Sequence, residues 1–307
     1  MDNLIRIGTR ESQLAMWQAN QVKSLLEAAG YTTELVPVKS DGDIDLKTPL
    51  YEMGVQGIFT RSLDIALIDH RIDLAVHSMK DVPTRLPMGI RQAAVLERGA
   101  VSDLLVFKTD GEFLNDEEHE AVIATSSIRR KAQWLNRYPH HRLENLRGNV
   151  NTRLQKLSVS NWNGAIFAQA GLERIGVRPD NSQVLEWMLP APAQGAIMVV
   201  CRKEDDYVAE ACSSFNHRDT EICTAIERSF LRTLEGGCST PVSALATITN
   251  GLLSFNGSIL SIDGQQKAEV SREVRVEDSQ DLGEEAANEL LQNGGSEIAA
   301  TIEHARG

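Results

Sequence analysis

Leu4-Ile5-Arg6-Ile7-Gly8-Thr9-Arg10-Glu11-Ser12-Gln13-Leu14-Ala15 is the stretch that decides the fold. Residues 4–8 read as a strand. Ser12 can then cap a helix that carries Leu14, Ala15, Val22, Leu25 and Leu26 on its apolar side. Residues 33–38 read as the next strand, and a helix over 61–69 leads into a strand over 73–77. This β-α-β rhythm implies a largely parallel sheet flanked by helices. Between Ser40 and Ile58 the chain is rich in Asp and Gly and has no periodicity; it is either a lid or binding loop, or a plain surface loop.

A second series starts near Ala121, with strands at 122–124 and 165–168 and helices over 126–136 and around 153–157. Pro190-Ala191-Pro192 marks a crossing point, after which residues 197–201 form an apolar strand able to return to the first sheet. Past Asn216 the pattern changes. Ile222, Ile226, Phe230 and Leu234 have helical spacing, and strand runs 244–249 and 252–259 flank the hairpin signal Asn250-Gly251. A third run over 267–276 follows, then a helix striped by Leu282, Ala286, Leu290 and Leu291. No internal repeat is visible.

At 307 residues the chain can hold two or three domains, each with its own core. A formal charge of −12 sets the molecule as a whole against nucleic acid and anionic membrane, and neither is expected as a partner. No stretch approaches the roughly 20 apolar residues of a membrane span, and the N-terminus enters the first strand without an apolar leader. Cys201, Cys212, Cys223 and Cys238 lack Cys-x-x-Cys spacing, which argues against structural zinc or a secreted scaffold. A reduced, cytoplasmic protein without a metal is expected.

The densest chemical signal is basic. Arg129, Arg130, Lys131, Arg137, Arg142, Arg147 and Arg153 are opposed locally by little more than Glu144. Thr125-Ser126-Ser127 follows a strand and opens a helix, so hydroxyls and free N–H groups face an anion together, with Arg129 and Arg130 one turn on. Arg147-Gly148-Asn149 repeats the arrangement, and Arg10 with Ser12 forms a third such junction. Cations at helix starts oppose the macrodipole, so stability alone does not explain them. Either they are solvated surface charge or they line a cleft for a ligand with several carboxylates or phosphates.

His77-Ser78-Met79-Lys80-Asp81-Val82-Pro83 lies at the carboxyl end of a strand, where ligands of open α/β sheets gather. Asp81 beside Lys80 is either a turn pair or a proton donor that stabilises a developing cation. Glu235-Gly236-Gly237-Cys238-Ser239-Thr240-Pro241 places Cys238 on a tight loop, as a nucleophile or a covalent attachment point. The other three cysteines sit in apolar patterns of buried, inert thiols.

Read in order, Ile7-Gly8-Thr9-Arg10-Glu11-Ser12 with Leu14, Ala15 and Gln18, then His77 to Pro83, then Thr125-Ser126-Ser127 with Arg129-Arg130, resemble segments of the porphobilinogen deaminase (hydroxymethylbilane synthase) family. So do Leu146-Arg147-Gly148-Asn149-Val150 with Thr152-Arg153, Ala170-Gly171-Leu172 with Arg174, Gln194-Gly195-Ala196, and Leu234 to Cys238; the match covers nearly the whole chain. The resemblance implies two α/β domains like those of periplasmic binding proteins around an active-site cleft, and a small C-terminal α+β domain with a three-stranded antiparallel sheet. Their expected extents are 1–97 with 195–214, 102–190, and 217–307. It further implies a dipyrromethane cofactor joined to Cys238 through a thioether. On it, four porphobilinogen units condense head to tail with loss of ammonia, and hydrolysis frees hydroxymethylbilane.

By the same resemblance Asp81 is the catalytic residue. Arg129, Arg130, Ser126, Ser127, Thr125, Ser78, Lys80 and Asp43 are cofactor contacts, and Arg10, Ser12, Gln18, Phe59, Arg147, Arg153, Arg174 and Gln194 are substrate contacts. The chain is expected to act as a monomer. One departure stands out: many members carry lysines where this chain has Glu52 and Gln56, so Phe59 is expected to close over the ring system while Gln56 supplies only a hydrogen bond. A solute receptor of the same two-lobed fold, or an inactive paralogue, are the rival readings; neither accounts for Asp81 and Cys238 together.

Overall fold

A computed structural model describes residues 4–39, 59–116, 119–234 and 240–304. The described chain divides into two compact units, with breaks at 100/101, 193/194 and 222/223.

The strands in chain order are β1 (Ile5–Thr9), β2 (Thr33–Pro37), β3 (Leu74–Ser78), β4 (Ile90–Val95), β5 (Asp103–Phe107), β6 (Val122–Ala124), β7 (Arg142–Glu144), β8 (Gly164–Ala168), β9 (Ser182–Val184), β10 (Ile197–Arg202), β11 (Val242–Thr249), β12 (Leu252–Leu260) and β13 (Lys267–Arg275). In the first unit the sheet order is β2-β1-β3-β10-β4, with β2, β1 and β3 parallel and β10 antiparallel to both its neighbours. The expected return of the 197–201 strand to this sheet is therefore found, running against β3. In the second unit one sheet has the order β7-β6-β8-β5-β9, with the same scheme of directions. The other is the antiparallel meander β11-β12-β13, joined at the predicted Asn250-Gly251 turn.

The first core forms because β1 alternates Ile5 and Ile7 inward against Leu74, Val76 and Val199, while the Gln13–Ala28 helix lays Ala19, Val22 and Leu26 over them. Cys201 and Cys212 lie in this core, and Cys223 is likewise buried, as read from the sequence. After the predicted C-terminal helix (Leu282–Leu290) the chain bends through Leu291–Gly295 and adds a last helix, Ser296–His304, that the apolar stripe alone did not announce.

The amino edge of the first sheet is tied by charge. Asp73 accepts from the Arg6 backbone N–H (2.9 Å), from Arg6 Nε (2.9 Å) and Nη2 (2.8 Å), and from Arg202 Nη2 (3.0 Å). Arg202 also donates to Asp205 Oδ2 (2.6 Å) and to the carbonyls of Leu67 (3.2 Å) and Ile72 (2.6 Å). Burial pushes the Asp73 carboxyl up, but the hydrogen bonds from Arg6 and Arg202 outweigh it and leave it below its ordinary 3.8. A carboxyl lowered in the folded state stabilises the protein above its unfolded value and loses that contribution as pH falls through the folded one. Asp73→Asn is expected to cost about 3 kcal/mol at neutral pH, because it leaves Asp205 as the one carboxylate set against the two cations Arg6 and Arg202, and to flatten the acid limb below about pH 4. Urea melts of both proteins across that range check this, and an unshifted midpoint at pH 7 would refute it.

Candidate functional site

In the first unit β1 and β3 are parallel neighbours, so the segments that follow them emerge at the same sheet edge. After β1, the Thr9 hydroxyl donates to the Ala15 carbonyl (3.0 Å), and Ser12 caps the Gln13–Ala28 helix by accepting from the Ala15 N–H (3.3 Å). The Arg10 guanidinium lies 4.4 Å from the centre of the Phe59 ring, a cation–π contact. After β3 comes the single 3-10 turn Met79–Asp81. Gln18, buried on the first helix, donates to Ser78 Oγ (2.9 Å), so two residues read as contacts hold each other. Lys80 Nζ donates to Gln194 Oε1 (3.2 Å). Asp81 is partly exposed, and its carboxylate makes no hydrogen bond or ion pair with another described residue.

Gln194 is fixed by its backbone. Its carbonyl accepts from Arg98 Nε (2.9 Å), and Gly195 follows at φ +87°, where a Cβ would lie 2.7 Å from the Gly99 carbonyl oxygen. Only glycine fits there.

In the second unit β7, β6 and β8 are parallel neighbours, so the segments after them share one edge. After β6, buried Thr125 donates its N–H to the Glu144 carbonyl (2.8 Å) and accepts from the Ser127 N–H (3.2 Å). Ser127 caps the Ile128–Arg137 helix, accepting from the Arg130 N–H (3.4 Å). After β7, Arg147 is buried, Gly148 sits at φ +114°, and Asn149 caps the Val150–Val159 helix by accepting from the Thr152 N–H (2.9 Å). Arg153 Nε donates to the Gly148 carbonyl (2.8 Å). After β8 stands Arg174, whose guanidinium burial pushes down to about 10 against the opposing charge of Glu173.

Arg129 and Arg130 are not surface charge: they are 4% and 5% exposed. Both reach Asp103, which is fully buried; Arg129 Nη2 donates to Oδ2 (2.6 Å), and Arg130 Nε (3.1 Å) and Nη2 (2.7 Å) donate to Oδ1. Arg129 also donates to the Leu189 carbonyl (2.7 Å) and Arg130 to that of Ile166 (3.0 Å). Burial works to raise the Asp103 carboxyl, but the two guanidiniums hold it far below the usual carboxylate range. Asp103 went unread in the sequence, although a lone acid heading the apolar run Leu104-Leu105-Val106-Phe107 is a signal in itself. Arg129 Nε is buried with no hydrogen-bond partner. Two cations set against one carboxylate, with a donor left over, fit a ligand that brings further carboxylates.

Asp43, Cys238 and the loop positions Glu52 and Gln56 lie outside the described residues. Among the described residues no group of His, Cys, Asp and Glu is arranged to hold a metal, and no helix is long and apolar enough to cross a membrane.

Two family models match the chain. Residues 5–210 match porphobilinogen deaminase, dipyromethane cofactor binding domain, and residues 221–292 match porphobilinogen deaminase, C-terminal domain. Among solved structures, the chain is similar to an ancestral cationic amino acid solute binding protein (14% identity, TM-score 0.43, covering 69% of this chain and 89% of that one). It is also similar to a probable amino-acid ABC transporter extracellular-binding protein from Bacillus subtilis (9%, 0.45, 76% and 98%). A third is a nutrient binding protein from Burkholderia cenocepacia bound to methionine (11%, 0.43, 68% and 90%). None of these likenesses bears on chemistry.

His77, one residue before Ser78, is buried on β3, and burial with the nearby Arg10 charge pulls its imidazole down to about 4. A histidine kept neutral in the fold stabilises it above its ordinary 6.5, and that contribution is lost as pH falls from there to about 4. The loss should reach up to about 3 kcal/mol. Urea midpoints for wild type and His77→Gln between pH 7 and 4 check this: the variant should lose part of the slope, and an identical slope would clear His77.

Proposed function

The chain belongs to the porphobilinogen deaminase family, and on that premise we propose how its residues share the reaction. The activity is stepwise head-to-tail condensation of four porphobilinogen molecules, with loss of ammonia at each step and hydrolytic release of hydroxymethylbilane. It is a transferase reaction that uses a dipyrromethane cofactor. The observation that carries the residue assignment is the half-balanced cluster of Arg129, Arg130 and Asp103, at the sheet edge from which the segment with Arg147 and Arg153 also emerges.

When bound, the cofactor supplies the fixed pyrrole end from which the product chain is built. Cys238 holds it through a thioether. Arg129 and Arg130 neutralise its acetate and propionate groups, and Thr125, Ser126 and Ser127 donate hydrogen bonds at the helix start beside them. Ser78, Lys80 and Asp43 complete these contacts, Lys80 being aimed by Gln194 and Ser78 by Gln18. Arg10, Ser12, Arg147, Arg153 and Arg174 receive the carboxylates of incoming substrate, and Phe59 covers its ring. Fixing several carboxylates at once makes the attack effectively intramolecular.

Asp81 does the chemistry. Its carboxyl gives a proton to the departing amine, and the carboxylate left behind stabilises the substrate cation and takes up the proton released from the attacked pyrrole. Among the described residues its carboxylate has no ion-pair partner, which supports that role.

We further propose three domains, 1–97 with 195–214, 102–190, and 217–307; the three separate sheets support this division. A monomer working in the cytoplasm without nucleic-acid partners completes the reading, supported by the charge of −12.

The decisive measurement is the intact mass of wild type and Cys238→Ser from a host that makes porphobilinogen. A gain of two porphobilinogen units less two ammonia is expected in wild type alone; bare wild-type protein, still bare after addition of preformed hydroxymethylbilane, would overturn the reading. Asp81→Asn should retain fold and added mass while turnover falls roughly a hundredfold or more. An active variant would remove Asp81 from its role.

A further inference from the structure

We infer that Asp103 is a positioning residue for the cofactor: it fixes Arg129 and Arg130 as a pair and cancels only one of their two charges. The inference rests on the function proposed above and adds to it a residue that never meets the ligand.

Stability does not account for the cluster. Cations in the first turn of a helix oppose its macrodipole, and burying ions costs more than well-packed apolar side chains of similar volume would. Yet Arg129 and Arg130 are the second and third residues of the Ile128–Arg137 helix, and both are buried. The geometry does account for them. Asp103 opens β5, where its register partner on β8 is Ala168, and its own carbonyl accepts from the Leu185 N–H (2.8 Å), so its backbone is held on both sides. One carboxylate oxygen takes the Nε–Nη2 edge of Arg130 and the other takes Nη2 of Arg129. The carbonyls of Ile166 and Leu189 take the Nη1 groups. Each guanidinium is thereby fixed in rotation as well as in place.

The balance of charge is incomplete. Neither arginine has a second acidic partner, since their remaining acceptors are neutral carbonyls, and Arg129 Nε keeps an unused proton. One net positive charge therefore stays in a region closed to water, where an anion is held most strongly. A carboxylate on the cofactor meets that requirement. Asp103 itself, with no exposed surface, cannot touch it.

The test compares wild type, Asp103→Asn and Asp103→Glu, each expressed in a porphobilinogen-producing host. Intact mass reads the fraction carrying the cofactor, and circular dichroism with thermal melting reads the fold. Folded Asp103→Asn should be loaded at least tenfold less than wild type, and Asp103→Glu should regain at least half of the lost loading. A smaller loss in Asp103→Asn overturns the inference. So does no regain in Asp103→Glu, which would assign the effect to packing. Should Asp103→Asn fail to fold, Arg130→Gln is compared with Asp103→Asn/Arg130→Gln, which restores the one net positive charge that Arg130→Gln removes; the double variant should load no better than Arg130→Gln, and better loading would overturn the inference. Bare wild-type protein would instead mark failure of the function on which the inference rests.

Discussion

A guanidinium taken out of water has to be compensated by whatever the fold puts beside it, and two clusters among the described residues do so differently. At the amino edge of the first sheet, Arg6 and Arg202 meet Asp73 and Asp205, two cations against two carboxylates. That set is balanced, and it ties β1, β3 and β10 together with the helix that Asp205 caps. At the carboxyl edge of the second sheet, Arg129 and Arg130 share Asp103 alone. The same interaction is here left one anion short, which is the imbalance that the proposed cofactor role rests on.

The shared sheet scheme explains why the proposed site residues fall where they do. In both units a central strand is followed by a capped helix, with Ser12 closing one helix start and Ser127 the other. In the first unit the neighbouring parallel strand delivers Lys80 and Asp81 to that edge, whereas in the second Arg174 follows β8 only after the short Gln169–Glu173 helix. The units differ in chemistry rather than in plan. One places the Asp81 carboxylate at its edge and the other places arginines, and the proposed roles follow that difference.

Much of this was legible in the sequence, for physical reasons. β1, β3, β6, β8 and β10 are apolar runs followed by capping or turn residues, and the Asn250-Gly251 hairpin needs nothing beyond its own two residues. β4, β5, β7 and β9 went unread. β7 and β9 are three-residue strands with exposed side chains, and their pairing is decided by neighbours distant in sequence. The arginines announced themselves because their density had no local counterweight. Asp103 did not, because it lies 26 positions before Arg129 and meets it only through the pairing of β5 with β8. Motifs survive in sequence when their parts are neighbours along the chain, whereas ion pairs across a sheet do not. Cys238 was legible for the opposite reason, since glycines and a proline surround it at once.

The helix that carries the arginine pair has a second duty. Gln133, one turn beyond Arg129 and Arg130, donates to the Leu189 carbonyl (3.0 Å) and to Ser243 Oγ (3.0 Å) and accepts from the Leu189 N–H (2.9 Å). Asn136, near the helix end, donates to the Gly264 carbonyl (2.7 Å), at the turn between β12 and β13. Arg129 itself holds the Leu189 carbonyl, so the same backbone group is taken from two successive turns of one helix. β11, which contains Ser243, begins four residues after Cys238. One helix thus connects the Arg129–Arg130–Asp103 cluster to the antiparallel module that follows Cys238 in sequence. Polar side chains with fixed partners at both ends resist sliding better than an apolar face of equal area, because any shift leaves a buried donor unpaired. The Ile128–Arg137 helix is therefore held to Leu189, Ser243 and Gly264 by side chains that cannot slide without losing a partner.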